Sequence, residues 1–235
     1  MDRRSSCPQA IGSAGSCPGF RSRLGYELAR FAASPRRELV ELVQRLSHEV
    51  TAFGKRKGEN ERYVATTEME VAVRQADHLI SQLHSRVSDA VCILVARALE
   101  AICDFWRADD YWKMAVKKAP DPFYKARNRE QYAGALFSRP DAPAGAAMFL
   151  AAVEGLGAKT VDGSIVRGDI YRVWAACAET SDEVERLREQ ARHEYEAIPD
   201  DARRKSNLDY LDEYISEHRR ASPEDHPSVV GAAAP

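Results

Sequence analysis

The 235-residue chain has no apolar run of membrane length. Its longest strictly apolar stretch, Ala90-Val91-Cys92-Ile93-Leu94-Val95-Ala96, is seven residues, against the roughly twenty that a spanning helix needs. Arg3 and Arg4 are followed by no apolar segment, which argues against a secretory leader. The five cysteines (Cys7, Cys17, Cys92, Cys103 and Cys177) are an odd number with no CxxC pair, the usage of a reducing compartment. These absences point to the cytoplasm. Cys92 and Cys103, three helical turns apart, are expected to be small buried hydrophobes on one apolar face. Charge of one sign is also lacking: 34 Lys and Arg stand against 36 Asp and Glu, a formal net charge of -2. No global field draws the chain onto nucleic acid or anionic lipid.

Chemical signatures are missing as well. There is no GxSxG, GxxxxGK or GxGxxG pattern, so the known nucleophile and phosphate-binding turns are not announced. The six histidines contain no i, i+4 pair and no HExxH, and none has Cys or carboxylate neighbours at ligand spacing. The expectation is therefore no catalytic residue, no metal and no cofactor. Arg167-Gly168-Asp169 is an RGD tripeptide that we read as chance, with Gly168-Asp169 opening a helix.

Glycine and proline are absent from Glu59 through Ala119, a stretch dominated by good helix formers. Before it, Ser34-Pro35 resembles a helix start, and Leu39, Val43, Leu46, Val50 and Phe53 recur at coiled-coil spacing up to Gly54. The polar run 55–62 follows. Val73, Ala76, Ile80, Leu83 and Val87 then form a second one-sided stripe. Two such stripes predict an antiparallel helical hairpin over 23–87. Ser88 is expected to cap a new helix, Asp109-Asp110 to start another, and Pro120 and Pro122 to end it. Further helices are expected at about 123–138, 142–155, 166–179, 182–197 and 203–219. Thr160 to Val166, with Asp162-Gly163 inside, is open between a tight β-hairpin and a plain loop. Residues 1–22 and 221–235 have tail composition and are expected to be disordered.

An internal repeat then shows. Ala108, Trp112 and Ala115 with Pro120 behind them, preceded by Val95-Ala96 and Leu99, are matched by Gly145, Phe149, Ala152 and Gly157, preceded by Tyr132-Ala133 and Leu136. A looser copy has Trp174-Ala175 and Ala178, then Leu187, Ala191 and Pro199. Small residues let two helices cross closely and the aromatic fills the gap between neighbouring pairs. The pattern resembles the tetratricopeptide repeat over roughly 88–200. The implied fold is all-α, the N-terminal hairpin followed by a short TPR-like α-solenoid of about three helix pairs over 88–220.

That resemblance implies a non-enzymatic adaptor that binds a peptide or partner protein in a concave groove. Its inward positions, carried onto this sequence, are Arg97 and Glu100, then Arg127, Glu130 and Phe137, then Arg172 and Glu179. Three arginines there favour a carboxylate-bearing ligand. The competing reading is nucleic-acid or regulatory binding through the stretch Lys113–Arg129, where Lys113, Lys117, Lys118, Lys125, Arg127 and Arg129 surround Phe123 and Tyr124. An active site that no motif announces stays open as a third reading. Met69, Val71 and Leu79 are expected to stay partly exposed. Either the hairpin caps the repeats in a monomer, or a second copy covers them.

Overall fold

The computed structural model describes residues 41, 42, 44–48, 67–83, 87–139, 141–157 and 160–218. The expected tails, the polar turn 55–62 and the seam residues Leu39, Val43, Val50 and Phe53 lie outside these. Regular structure among the described residues is entirely helical. After a helical stretch at 41, 42 and 44–48, the order is α1 (Thr67–Leu83), α2 (Asp89–Ala101), α3 (Phe105–Lys118), α4 (Pro122–Phe137), α5 (Ala142–Glu154), α6 (Val161–Cys177), α7 (Ser181–Glu196) and α8 (Asp201–His218). None of them is long and apolar enough to cross a membrane.

The helices pack in antiparallel pairs: α2 with α3, α4 with α5, and α6 with α7. Each pair is closed by a short connector, and the caps explain why each helix begins where it does. The Val91 amide donates to the Ser88 hydroxyl, as the sequence predicts, and the Tyr124 amide donates to Asp121 ahead of Pro122. Asp104 takes the Arg107 amide and starts α3 five residues before the expected Asp109-Asp110. The sequence hides this start because the break before it uses neither glycine nor proline. Cys103 adopts φ +62 there, the left-handed position that glycine usually fills. Cys103 is exposed and disulfide-bonded, which corrects the expectation of a buried thiol. Cys92 is buried as expected, and burial pushes its thiol up to about 12.

Two compact units result, Met1–Gly155 and Leu156–Pro235. In the first, Leu42, Leu46, Val73, Ala76 and Ile80 share one core with Val91 to Ala96, Leu99, Ala108, Trp112 and Ala115. The expected boundary at residue 88 therefore falls inside a core. Leu42, absent from the expected seam, is buried beside Leu46. Every side chain from Asp89 to Ala96 is buried, as a helix apolar all round demands. Each Val, Ile or Leu of that run contributes about 1.5–3 kcal/mol by leaving water. Trp112 stacks on Tyr132 with centroids 5.9 Å apart, so the aromatic of one pair packs on the first helix of the next.

In the second unit, α8 packs on both α6 and α7. Thr160 to Val166 is neither hairpin nor loop. Thr160 caps α6 by accepting the Gly163 amide, and the following residues form its first turns, with Gly163 and Ser164 buried. The RGD tripeptide lies in mid-helix rather than at a helix start. Arg167 pairs with Glu194 at 3.1 Å, Asp169 accepts the Tyr195 hydroxyl at 2.7 Å, and Gly168 lets the Tyr195 ring close on the backbone.

The helix pairs cross on small residues, and two glycines separate crossing from propensity. A Cβ on Gly145 in α5 meets the Phe137 ring at 2.4 Å, whereas one on Gly134 in α4 meets nothing within 4 Å. Gly134→Ala is expected to raise stability by about 0.5–1 kcal/mol through helix propensity. Gly145→Ala is expected to cost about 1–3 kcal/mol by overpacking. Urea unfolding of the two variants checks both signs.

Candidate functional site

The polar residues of the first unit cluster where successive helix pairs meet. Arg139, just past α4, has a side chain only 8% exposed and holds two carboxylates: Nη2 donates to Glu100 of α2 at 2.7 Å and Nη1 to Asp109 of α3 at 2.6 Å. Its guanidinium also lies 4.7 Å from the Phe105 ring centroid. Glu100 accepts a second bond, from the Trp112 indole at 2.9 Å. Burial pushes the Glu100 carboxyl above its ordinary value, partly offset by Trp112 and Arg139. Burial also works to lower the Arg139 pKa, and the bonds to Asp109 and Glu100 outweigh it.

Two related links flank this one. Asp77 of α1 accepts the Arg107 guanidinium at 2.6 Å and the Tyr111 hydroxyl at 2.5 Å. Tyr111 is raised above the ordinary phenol range, by burial first and by Asp77 next. The fully buried Asp89 carboxylate, in the first turn of α2, accepts the Asn128 amide of α4 at 2.8 Å. The same amide donates to the Ala115 carbonyl at 3.0 Å. Such donors offset the desolvation of the charges they meet. No motif in the sequence marks Arg139, Asp77, Arg107, Asp89 or Asn128. Their signal was separation: Asp77 to Arg107 and Asp109 to Arg139 are both 30 residues apart.

The expected groove residues do not form one free lining. Arg97 donates to Gln131 at 3.0 Å, joining the first helices α2 and α4. Glu100 belongs to the Arg139 link. Arg127 pairs with the buried Glu130 at 2.9 Å. Phe137 is core, packed on Phe149 with centroids 5.8 Å apart; its helical register turns it toward α5, which corrects its assignment to a groove. In the second unit, Arg172 pairs with Asp169 at 3.4 Å and lies over the rings of Tyr210 and Tyr214. Glu179 is exposed beyond the end of α6.

Of the basic stretch, Lys113, Lys117, Lys125, Phe123 and Tyr124 are exposed, but the arginines turn inward. Arg127 meets Glu130, and Arg129 donates to the Ala151 carbonyl at 2.6 Å. A cleft of about 550 Å³ is lined by Leu42, Arg45, Val71, Arg74 and Leu79 among others. Val71 is exposed there and Leu79 half-buried; the Met69 side chain is outside the described residues. A smaller hollow, about 300 Å³, has Asp77, Ile80, Arg107, Asp110 and Met114 in its lining. Among the described residues no three His, Cys, Asp or Glu side chains converge as a metal site. Charge neutralisation and helix-to-helix linkage are the chemistry this arrangement performs. No protein-family model, curated protein or solved structure matches the chain.

Glu100 gives the cluster a pH signature. A carboxyl whose folded pKa lies above its unfolded value, near 4.5, contributes stability below that value and loses it as pH rises through the folded pKa. Glu100→Gln keeps an acceptor for Trp112 and does not ionise. Its urea midpoint relative to wild type is expected to rise as pH goes from 4 to 8; a difference constant across that range contradicts the assignment.

Proposed function

We propose that the helix pairs of the first unit stack as a short TPR-like solenoid and that the chain is a non-enzymatic adaptor, binding a peptide or partner protein on the face of α2 and α4. The observation that carries the stacking is the recurrence of one link. Asp77–Arg107 and Asp109–Arg139 both close at 2.6 Å, and both members advance by 32 residues (77 to 109, 107 to 139). Recurrence of residue type and spacing is what stacked repeats would produce, and it supports this reading. The Arg97–Gln131 bond, across 34 residues, supports the same register by laying α2 beside α4. Half-buried Arg97, Arg127 and Gln131 then line the face left to a partner.

A photo-crosslinking side chain at Gln131 tests this reading, with one at the exposed Leu150 on the outer side of α5 as control. Adducts with a defined partner are expected from position 131 and not from 150. Equal yields at the two positions, or no adduct at 131, contradict the reading.

A further inference from the structure

Helix α3 carries two opposed faces. Ala108, Tyr111, Trp112 and Ala115 are buried. With 3.6 residues per turn, Trp106, Asp110, Lys113 and Lys117 lie within about 60° of one another on the opposite side. All four are exposed, and Trp106 is 83% exposed. No ion pair among the described residues involves Lys113 or Lys117. One flank of this stripe opens on the 300 Å³ hollow between α1 and α3, whose lining includes Asp110 of the stripe and the apolar Ile80 and Met114. At the far end of the helix, past the connector 119–121, Phe123, Tyr124 and Lys125 are exposed as well.

We propose that this stripe docks an acidic peptide segment carrying an apolar side chain. The surface offers an aromatic anchor point in Trp106, an adjoining hollow in which Ile80 and Met114 sit beside Asp77 and Asp110, and two lysines whose backbone positions are about 6 Å apart along the helix axis. Carboxylates two residues apart on an extended peptide are separated by about 6.6 Å, so one strand meets both lysines. Lys113 and Lys117 with Asp110 beside them give the stripe a net charge of +1, enough for one or two peptide carboxylates and far short of the continuous positive surface that a phosphate backbone needs. Phosphate recognition is served best by bidentate arginine, and Arg127 and Arg129 are turned to Glu130 and the Ala151 carbonyl. What faces outward is lysine, a point charge without arginine's bidentate fork. This surface belongs to the second helix of its pair, apart from the α2–α4 face of the adaptor reading, so either surface can fail without the other.

The stripe from Trp106 to Lys117 is about 17 Å long, the span of about five extended residues. A display library of random peptides of about ten residues, panned on the full chain and on the Trp106→Ala chain, therefore samples its partners without prior choice. The result expected is enrichment, on the wild-type chain alone, of peptides rich in Asp and Glu with Leu or an aromatic residue. A synthetic peptide of that consensus should bind in solution and lose about tenfold or more in affinity with Trp106→Ala and with the Lys113→Glu, Lys117→Glu double variant. Arg97→Ala should leave its affinity unchanged. Because Trp106, Lys113 and Lys117 are exposed, far-UV circular dichroism is expected to match wild type. The proposal is overturned if no peptide is enriched over the Trp106→Ala chain, if the enriched peptides are not acidic, or if affinity survives both variants. Binding of a single-stranded oligonucleotide lost in the same variants, with no acidic peptide bound, overturns it in favour of nucleic acid.

Discussion

A buried arginine that holds two carboxylates is the constraint around which the first unit is organised. Arg139 follows α4 in sequence, yet its partners belong to the preceding pair, Glu100 on α2 and Asp109 on α3. None of these charges is cheap to remove from water alone. Together, with the Trp112 indole on Glu100 and the Phe105 ring against the guanidinium, they offset one another's desolvation, and the buried Arg139 Nε is the one nitrogen of the link left without a hydrogen-bond partner. The link therefore specifies how one helix pair sits on the next, a directional demand that apolar packing of Ala, Leu and Val does not impose. Asp77 with Arg107, and Asp89 with Asn128, extend the same logic to α1 and to the start of α2.

The second unit uses a parallel device with different residues. Arg167 on α6 reaches Glu194 on α7, and Asp169 meets the Tyr195 hydroxyl, so the Arg-Gly-Asp tripeptide is a helix-crossing element. Arg172 is kept by Asp169 and two tyrosines of α8. In both units arginines assigned from the sequence to ligand contact are largely consumed in building the fold. On α3 and at the start of α4 the outward chemistry is lysine and aromatic.

The helix pairs were legible because their crossings need small residues at fixed spacing. Ala108, Trp112 and Ala115, and Gly145, Phe149 and Ala152, are all buried where the pattern places them. The α2–α3 break was not legible, because Cys103 takes a left-handed conformation that glycine normally marks. Asp162-Gly163 misled in the opposite sense. Two turn-forming residues sit inside α6 because Thr160 caps the helix ahead of them and Gly163 is needed at a buried position. The side-chain links were hidden for another reason. An arginine at a helix end has the same composition whether it points to water or to a carboxylate thirty residues away, and only the recurrence of that separation distinguishes the two.

Urea unfolding of Arg139→Met tests most directly whether this link organises the first unit. The substitution keeps an unbranched apolar stem and strands Glu100 and Asp109 without their shared cation. The account predicts a loss of about 3 kcal/mol or more, the cost of breaking a buried ion pair by removing one partner. A change within about 0.5 kcal/mol, the effect of altering a solvated surface residue, contradicts it.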